Sequence, residues 1–369
     1  MRIGVVKQIQ LQERRIPLVP AGAHLLAKRG HGVFVEHEAG LPAGFTDEDY
    51  QAAGASIVYS RAEAVGRAEL VLGVAPVQFE DVAHLLQGQT LMTFGHLVTL
   101  RPETLQGLCD KSITAVAYEL IENDQHRRPI VEIMGEIAGP MAVTMAARFL
   151  ESHQGGRGVL LSGLPGTPPA SVVVIGGGAV GMAAVRAALG LGAQVTLVDK
   201  DPEPLRRAAL QFDRRVTTYL SYRYNLERVL PDADVVIGAV WVYGGRPPIL
   251  ITREMVRSMK PGSVIVDCSI DQGGICETGR PTSFVDPVYV AEKVIHCCIP
   301  NMPATVARTA SFALANALFH YVRLLAEGGI ERALQDQPRF SEGIYVRDGR
   351  MAHPAMEMFG APDTVPVSY

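Results

Sequence analysis

Short apolar runs separated by amphipathic stretches repeat along most of the chain. RIGVV at residues 2–6 reads as a strand, and the polar stretch KQIQLQERR follows it. A helix is predicted over 20–29, stopped by Gly30. HGVFVEH is a second strand. Further helices are predicted over 46–53 and 61–68, and strands over 56–59, 70–74, 90–94 and 114–117. Strands alternating with helices at this spacing predict a parallel sheet. Residues 132–152 then carry apolar positions at helical spacing, with Gly139 and Ala142 among them.

The segment HQGGRGVLLSGLPGTPPA breaks the pattern with Gly and Pro and reads as an irregular connection. A second alternating series follows. Its strands are predicted over 171–175, 194–199, 235–238, 263–267 and 293–297, with helices from about 179 and over 203–211. Residues 306–325 are again helical and are expected to return to the first domain, because an apolar helix face must be buried. After Phe340 the pattern is weak.

Composition narrows the class. A chain of 369 residues predicts two domains, and 48% hydrophobic with 20% charged residues is enough for full cores. The net charge is −4 and Lys and Arg are dispersed, which argues against nucleic acid or an acidic membrane surface as partner. Cys109, Cys268, Cys276, Cys297 and Cys298 are odd in number and show no metal-knuckle spacing. Neither a disulfide framework nor a metal site is expected, and a reducing cytoplasm is. Cys297 and Cys298 end an apolar strand and read as core. The N-terminus lacks a signal-length apolar run. The most apolar segment, 171–198, is interrupted by Gly turns and Arg186, so no membrane span is predicted.

The sharpest local signal is SVVVIGGGAVGMAAVRAALGLGAQVTLVDKD. A β-branched strand enters Gly176-Gly177-Gly178-Ala179-Val180-Gly181 and a helix leaves it. Gly176 permits the tight turn, Gly178 admits a pyrophosphate to the backbone, and Gly181 lets helix and strand approach. The helix N-terminus favours phosphate. Asp199 ends the next strand 18 residues beyond Gly181. A carboxylate there accepts from a ribose 2′-hydroxyl and repels a 2′-phosphate, which favours NAD, although Lys200 and Arg206 nearby work against that preference.

ERRIPLVPAG, LSGLPG, GGGAVG, VDCSIDQGG and NMPATVARTA, in this order over roughly residues 1–325, together resemble the alanine dehydrogenase family. They are more distantly similar to the NAD-binding subunit of proton-pumping transhydrogenases. The resemblance implies an α/β protein of two domains with a cleft between them. A Rossmann dinucleotide-binding domain at 132–305 would interrupt a discontinuous, Rossmann-like substrate domain made of 1–131 and 306–369. It also implies a homohexamer.

Hydride exchange between an amino acid and NAD needs a cation for the carboxylate and a group that moves protons near neutral pH. Arg15 matches the family's carboxylate-binding arginine; on its own it reads equally as a solvated surface charge. His96, at the end of an apolar strand, matches the proton-transfer histidine; a lone His there is otherwise a satisfied core residue. Asp271 matches an aspartate near the nicotinamide and is otherwise a turn-former before two glycines. Asp267 reads as the structural acid of the pair. Met134 and Asn301 match substrate or nicotinamide contacts, although Asn301 also suits a turn. Ser221 matches a serine near the adenosine.

One departure stands out. Where the family carries lysines, this chain has Gly73 and Ala75, and no lysine occurs between Lys28 and Lys111. The implied role of the lysine is to polarise the 2-oxo group. Three readings follow: an NAD-dependent amino-acid dehydrogenase or imine reductase with a changed substrate, an alanine dehydrogenase with a substitute group, or a non-catalytic NAD-binding sensor. The retained Arg15, His96 and Asp271 favour the first, since a preformed iminium brings its own charge and a small residue at 75 leaves room.

Overall fold

The computed structural model describes residues 1–9, 12–97, 100–242 and 245–353. Its strands, in chain order, are β1 (Arg2–Val5), β2 (Gly32–Glu36), β3 (Ser56–Val58), β4 (Leu70–Leu72), β5 (Thr90–Thr93), β6 (Thr114–Ala117), β7 (Ser171–Ile175), β8 (Gln194–Asp199), β9 (Val216–Leu220), β10 (Val235–Gly238), β11 (Val264–Asp267), β12 (Tyr289–Ala291), β13 (Val294–Cys297), β14 (Ile344–Arg347) and β15 (Arg350–Met351). They fall in two compact units. One is Met1–Ile133 with the segment that begins at Ala304; the other is Met134–Pro303.

The sheet of the first unit runs β15-β14-β6-β5-β4-β1-β2-β3, and that of the second β12-β13-β11-β10-β7-β8-β9. β1 to β6 are parallel. So are β7 to β11 and β13. Counted within each series, both sheets have the doubly wound strand order 3-2-1-4-5-6, so each reverses direction beside its first strand. At such a point the crossovers leave toward opposite faces, and a crevice opens at the carboxyl ends of the strands. This is the two-domain α/β architecture expected from the alternation.

The crossover helices start where local chemistry allows. Ser60 and Thr46 side chains accept from the amides of Glu63 and Asp49, capping Arg61–Arg67 and Asp47–Ala52. Pro20, Pro102 and Pro202 each occupy a first turn, where a missing N–H costs nothing. The helix Pro129–Phe149 has the length and apolarity of a membrane span, but Ala142, Val143, Ala146 and Phe149 lie in the core of the second unit, so it reads as a core helix. Helix Ala307–Asp336 extends beyond the predicted 306–325, broken at Gly329, where φ is 70°. It belongs to the first unit: Ser311 Oγ accepts from the Ile16 amide at 3.0 Å, and the Phe312 ring meets Phe45 edge-on.

Several elements escape the hydrophobic pattern. β9 is an edge strand on which only Val216 is buried. β14 lies where the pattern was weak, yet Ile344, Tyr345 and Val346 are buried beside β6. The short helices Phe79–Val82, Pro102–Asp110, Arg223–Val229 and Arg253–Ser258 were also unmarked.

Candidate active site

In the second unit the glycine turn leaves β7 at the reversal of strand order. Gly176 has φ 106°, and an added Cβ would lie 2.4 Å from the Ala239 carbonyl oxygen. At Gly181 an added Cβ would lie 1.8 Å from the Gly176 oxygen, so the helix Ala179–Gly190 passes the turn at a distance no side chain tolerates. Gly178 differs. Its space is open, with nothing within 4 Å of an added Cβ, and it caps the helix without a side chain. The backbone at Gly178 is therefore open to an approaching group at the start of a helix, which fits a pyrophosphate.

Asp199, at the end of β8, accepts from the Gly177 amide at 2.5 Å and the Asp201 amide at 2.8 Å. It braces the turn and keeps acceptor capacity for a ribose. The Ser221 amide donates to the Asp199 carbonyl at 2.8 Å, placing Ser221 at the same carboxyl rim. Helix Pro129–Phe149 packs on the nucleotide helix through glycines: added Cβ atoms at Gly135 and Gly139 would lie 3.1 Å from Val180 N and 2.4 Å from Val180 O. Met134, buried, immediately precedes this contact.

Asp267 and Asp271 lie in different environments. Asp267 is fully buried and accepts from the amides of Ser269 at 2.9 Å and Ile275 at 2.8 Å. Burial pushes its carboxyl up from the usual range, against the lowering effect of those amides. It holds the loop that presents Asp271, which is exposed in a short 3-10 turn. The Asn301 amide donates to Asp271 Oδ2 at 3.4 Å, and Asn301 takes φ 53°. Gln272 fastens this loop to the one after β10 by exchanging two hydrogen bonds with the Val242 backbone, at 2.9 and 2.7 Å.

In the first unit the carboxyl ends of β1, β4 and β5 gather Arg15, Ala75 and His96. Arg15 is 5% exposed, and its Nε and Nη2 grip Glu13 at 2.8 and 2.6 Å. The guanidinium carbon lies 5.1 Å from the Phe94 ring centre, and the His96 ring lies 6.1 Å from the same ring. Phe94 thus links cation and imidazole. His96 is exposed and adopts φ 44°, a left-handed conformation. The Glu119 carboxylate holds it there, accepting from the Gly95 amide at 3.1 and 3.0 Å and from the His96 amide at 2.6 Å.

At the neighbouring position the Ala75 amide donates to Gln8 Oε1 at 2.9 Å. Glu13, Glu119, Gln8 and Gln272 are hydrogen-bonded neighbours of these positions that the sequence reading missed. Only Glu13, two residues before Arg15, carried a local signal. A wider groove of about 900 Å³, lined by Ser171, Gln194, Asp234 and Lys260, lies at the amino ends of the second sheet, opposite to where open α/β sheets bind ligands. Among the described residues no cluster of His, Cys, Asp or Glu suits a metal.

The chain matches the family models "Alanine dehydrogenase/PNT, N-terminal domain" over residues 4–138 and "Alanine dehydrogenase/PNT, C-terminal domain" over residues 142–354. It is 46% identical to an alanine dehydrogenase of Halomonas elongata over 361 residues, covering 98% of this chain and 97% of that one. A solved L-alanine dehydrogenase superposes with TM-score 0.93 at 42% identity, over 98% of this chain and 99% of the other. A transhydrogenase from Sinorhizobium meliloti shares the fold, with TM-score 0.81 at 23% identity over 96% of this chain and 100% of the other.

Proposed function

The chain belongs to the alanine dehydrogenase/PNT family, and from this we propose that it is an NAD-dependent oxidoreductase acting on an amino acid and its 2-oxo acid or imine. The observation that carries the reading is the grouping of Arg15, Phe94 and His96 at the carboxyl rim of the first sheet. Arg15 receives the substrate carboxylate through parallel hydrogen bonds, and Glu13 fixes the plane of its guanidinium. The His96 imidazole moves protons to and from the reacting nitrogen or oxygen. Gly176, Gly178, Ala179, Val180 and Gly181 receive the pyrophosphate of NAD, Asp199 the ribose hydroxyls, and Ser221 the adenosine side. Asp271, Asn301 and Met134 serve the nicotinamide end. When bound, NAD supplies the hydride acceptor for the substrate's α-carbon.

Ala75 offers no ammonium to polarise a carbonyl, and the Arg15–Glu13 pair adds no net charge. This favours a preformed iminium, which brings its own charge, over an unactivated 2-oxo group. We further place the enzyme in the cytoplasm, where its five unpaired cysteines stay reduced, and read it as a homohexamer by resemblance. Light scattering on the purified protein checks the assembly.

The test of function is NADH consumption with pyruvate plus ammonium, then with bulkier 2-oxo acids and preformed imines, after NADH binding is confirmed by fluorescence. Turnover that His96→Ala lowers at least a hundredfold supports the reading. Tight NADH binding with no turnover of any of these substrates refutes it.

A further inference from the structure

Helix Pro202–Gln211 follows β8 and turns one side toward the glycine turn. Leu205 and Ala208 lie in the core of the second unit and fix the helix there. Asp201 caps its start by accepting from the Glu203 amide at 2.9 Å, and the Asp201 amide is itself held by Asp199 at 2.8 Å. Pro204 and Arg207, three residues apart, share a helix face. Both reach Gly177: a Cβ added there would lie 2.6 Å from Pro204 Cβ, and Arg207 Nη2 donates to the Gly177 carbonyl at 3.1 Å. Arg206 turns elsewhere and pairs with Glu203 at 2.9 Å. Among the described residues Arg207 forms no ion pair, so its guanidinium serves the turn.

Gly177 is therefore held on both sides. Its amide donates to Asp199 Oδ2 at 2.5 Å, and its carbonyl accepts from Arg207. Gly176, Gly177 and Gly178 are consecutive, and glycine has more backbone freedom to lose than any other residue. A trans peptide unit is planar, so its carbonyl and the N–H that follows point in opposite directions. A donor held on the Gly177 carbonyl thus sets the direction of the Gly178 amide, at the residue that caps helix Ala179–Gly190. The bond is charge-assisted, and such bonds are roughly twice as strong as neutral ones. A turn arranged before its ligand arrives loses less freedom on binding. The charge of Arg207 is offset by the Asp199 carboxylate on the other side of the same glycine, which leaves the directed bond as its main effect.

We propose that Arg207 is a positioning residue for the dinucleotide, holding the Gly177–Gly178 peptide in the orientation that receives the pyrophosphate. The proposal rests on the NAD-binding reading of this turn and adds to it a residue that lies outside the glycine motif. Arg207 acts through the backbone of the turn, away from the nicotinamide and the substrate.

The experiment compares the wild type with Arg207→Met, which keeps an unbranched stem and removes donor and charge, and Arg207→Lys, which restores an N–H donor. Fluorescence titration should show NADH bound about tenfold more weakly by Arg207→Met, the worth of one hydrogen bond to a charged group. Arg207→Lys should return to within about threefold of the wild type, since a single bond does not need the guanidinium fork. ADP-ribose, which lacks the nicotinamide, should lose the same factor as NADH. At saturating NADH kcat should be unchanged, and Tm should stay near the wild-type value because Arg207 is exposed. In the cofactor-free protein, amide hydrogen exchange over residues 174–182 should be faster in Arg207→Met. The affinity ratio of wild type to Arg207→Met should persist at ~1 M salt, where the Debye length is about 3 Å. Unchanged NADH affinity in Arg207→Met overturns the role. A ratio that vanishes at high salt, with exchange unaltered, overturns it too and makes Arg207 a through-space charge on the phosphates. A fall in kcat or Tm alongside the weaker binding assigns Arg207 to stability instead. In each of these cases the NAD reading stands; a wild type that binds neither NADH nor ADP-ribose overturns that reading and the positioning role with it.

Discussion

Glu119 touches no proposed reactant, yet its removal should cost activity. Its carboxylate accepts from two consecutive amides, Gly95 and His96, the latter at 2.6 Å. Those bonds hold His96 at φ 44°, a conformation that costs a non-glycine residue about 1–2 kcal/mol. Hydrogen bonds to a charged group contribute roughly 1.5–3 kcal/mol each, against about 0.5–1.5 for neutral partners. In Glu119→Gln the retained oxygen can still accept from both amides, as Oε1 does at 3.1 and 2.6 Å, but it has lost its charge and an NH2 group replaces the second acceptor at the Gly95 N–H. The net loss is about 1–3 kcal/mol, comparable to the backbone strain, so the left-handed state of His96 no longer dominates. The expected result is a fall in kcat/KM of about ten- to a hundredfold with NADH affinity unchanged. The assay is steady-state NADH oxidation with the best 2-oxo acid, alongside NADH fluorescence titration and thermal unfolding. Wild-type kcat/KM in Glu119→Gln would refute the positioning role. A large loss of Tm with activity retained below the transition would show that Glu119 serves stability alone.

Gly178→Ala and Gly181→Ala should separate binding from folding. An alanine at Gly178, where φ is −74° and no atom lies within 4 Å, should leave Tm nearly unchanged but weaken NADH binding at least tenfold, whereas Gly181→Ala drives a methyl onto the Gly176 carbonyl and should destabilise by about 3 kcal/mol in a denaturant titration. Normal NADH affinity in Gly178→Ala would remove the pyrophosphate from this turn. His296 is fully buried and neutral, with Nδ1 donating to the Val294 carbonyl and Nε2 accepting from Thr278, and burial lowers its pKa below 6.5. The unfolded chain then binds the extra proton, so this residue's stability contribution is present above about pH 6.5 and is lost as pH falls toward the folded value. Urea unfolding between pH 7.5 and 5 should show that decline, and a His296→Gln variant that retains the whole slope would count against it. Ala75→Lys should raise kcat/KM with pyruvate by one to two orders of magnitude if the missing ammonium limits carbonyl activation; no gain in a folded variant would assign that limit elsewhere.

Much of this protein was legible in the order of its residues. The alternation of strands and helices marked a two-domain α/β chain, because apolar periodicity reflects which face each element buries. The glycine turn was equally plain: backbone approaches as close as those at Gly176 and Gly181 admit no side chain, so the residue types announce the geometry. Edge elements were not legible. β9 buries one residue, and β14 is a short run whose pairing and burial come from β6 beside it. The site was visible as isolated residues matching a family, not as an arrangement.

Tertiary structure decided what surrounds them. Glu119 stands 23 positions from His96 and Gln8 67 from Ala75, separations at which no local pattern survives, and each becomes a neighbour only when parallel strands align their carboxyl ends. The sequence by itself showed only that Gly73 and Ala75 stand where the resemblance implies lysines; the pairing of β1, β4 and β5 decided which residues surround them. Local propensity is set by a residue and its near neighbours, whereas a site is set by which strand ends the sheet order brings side by side.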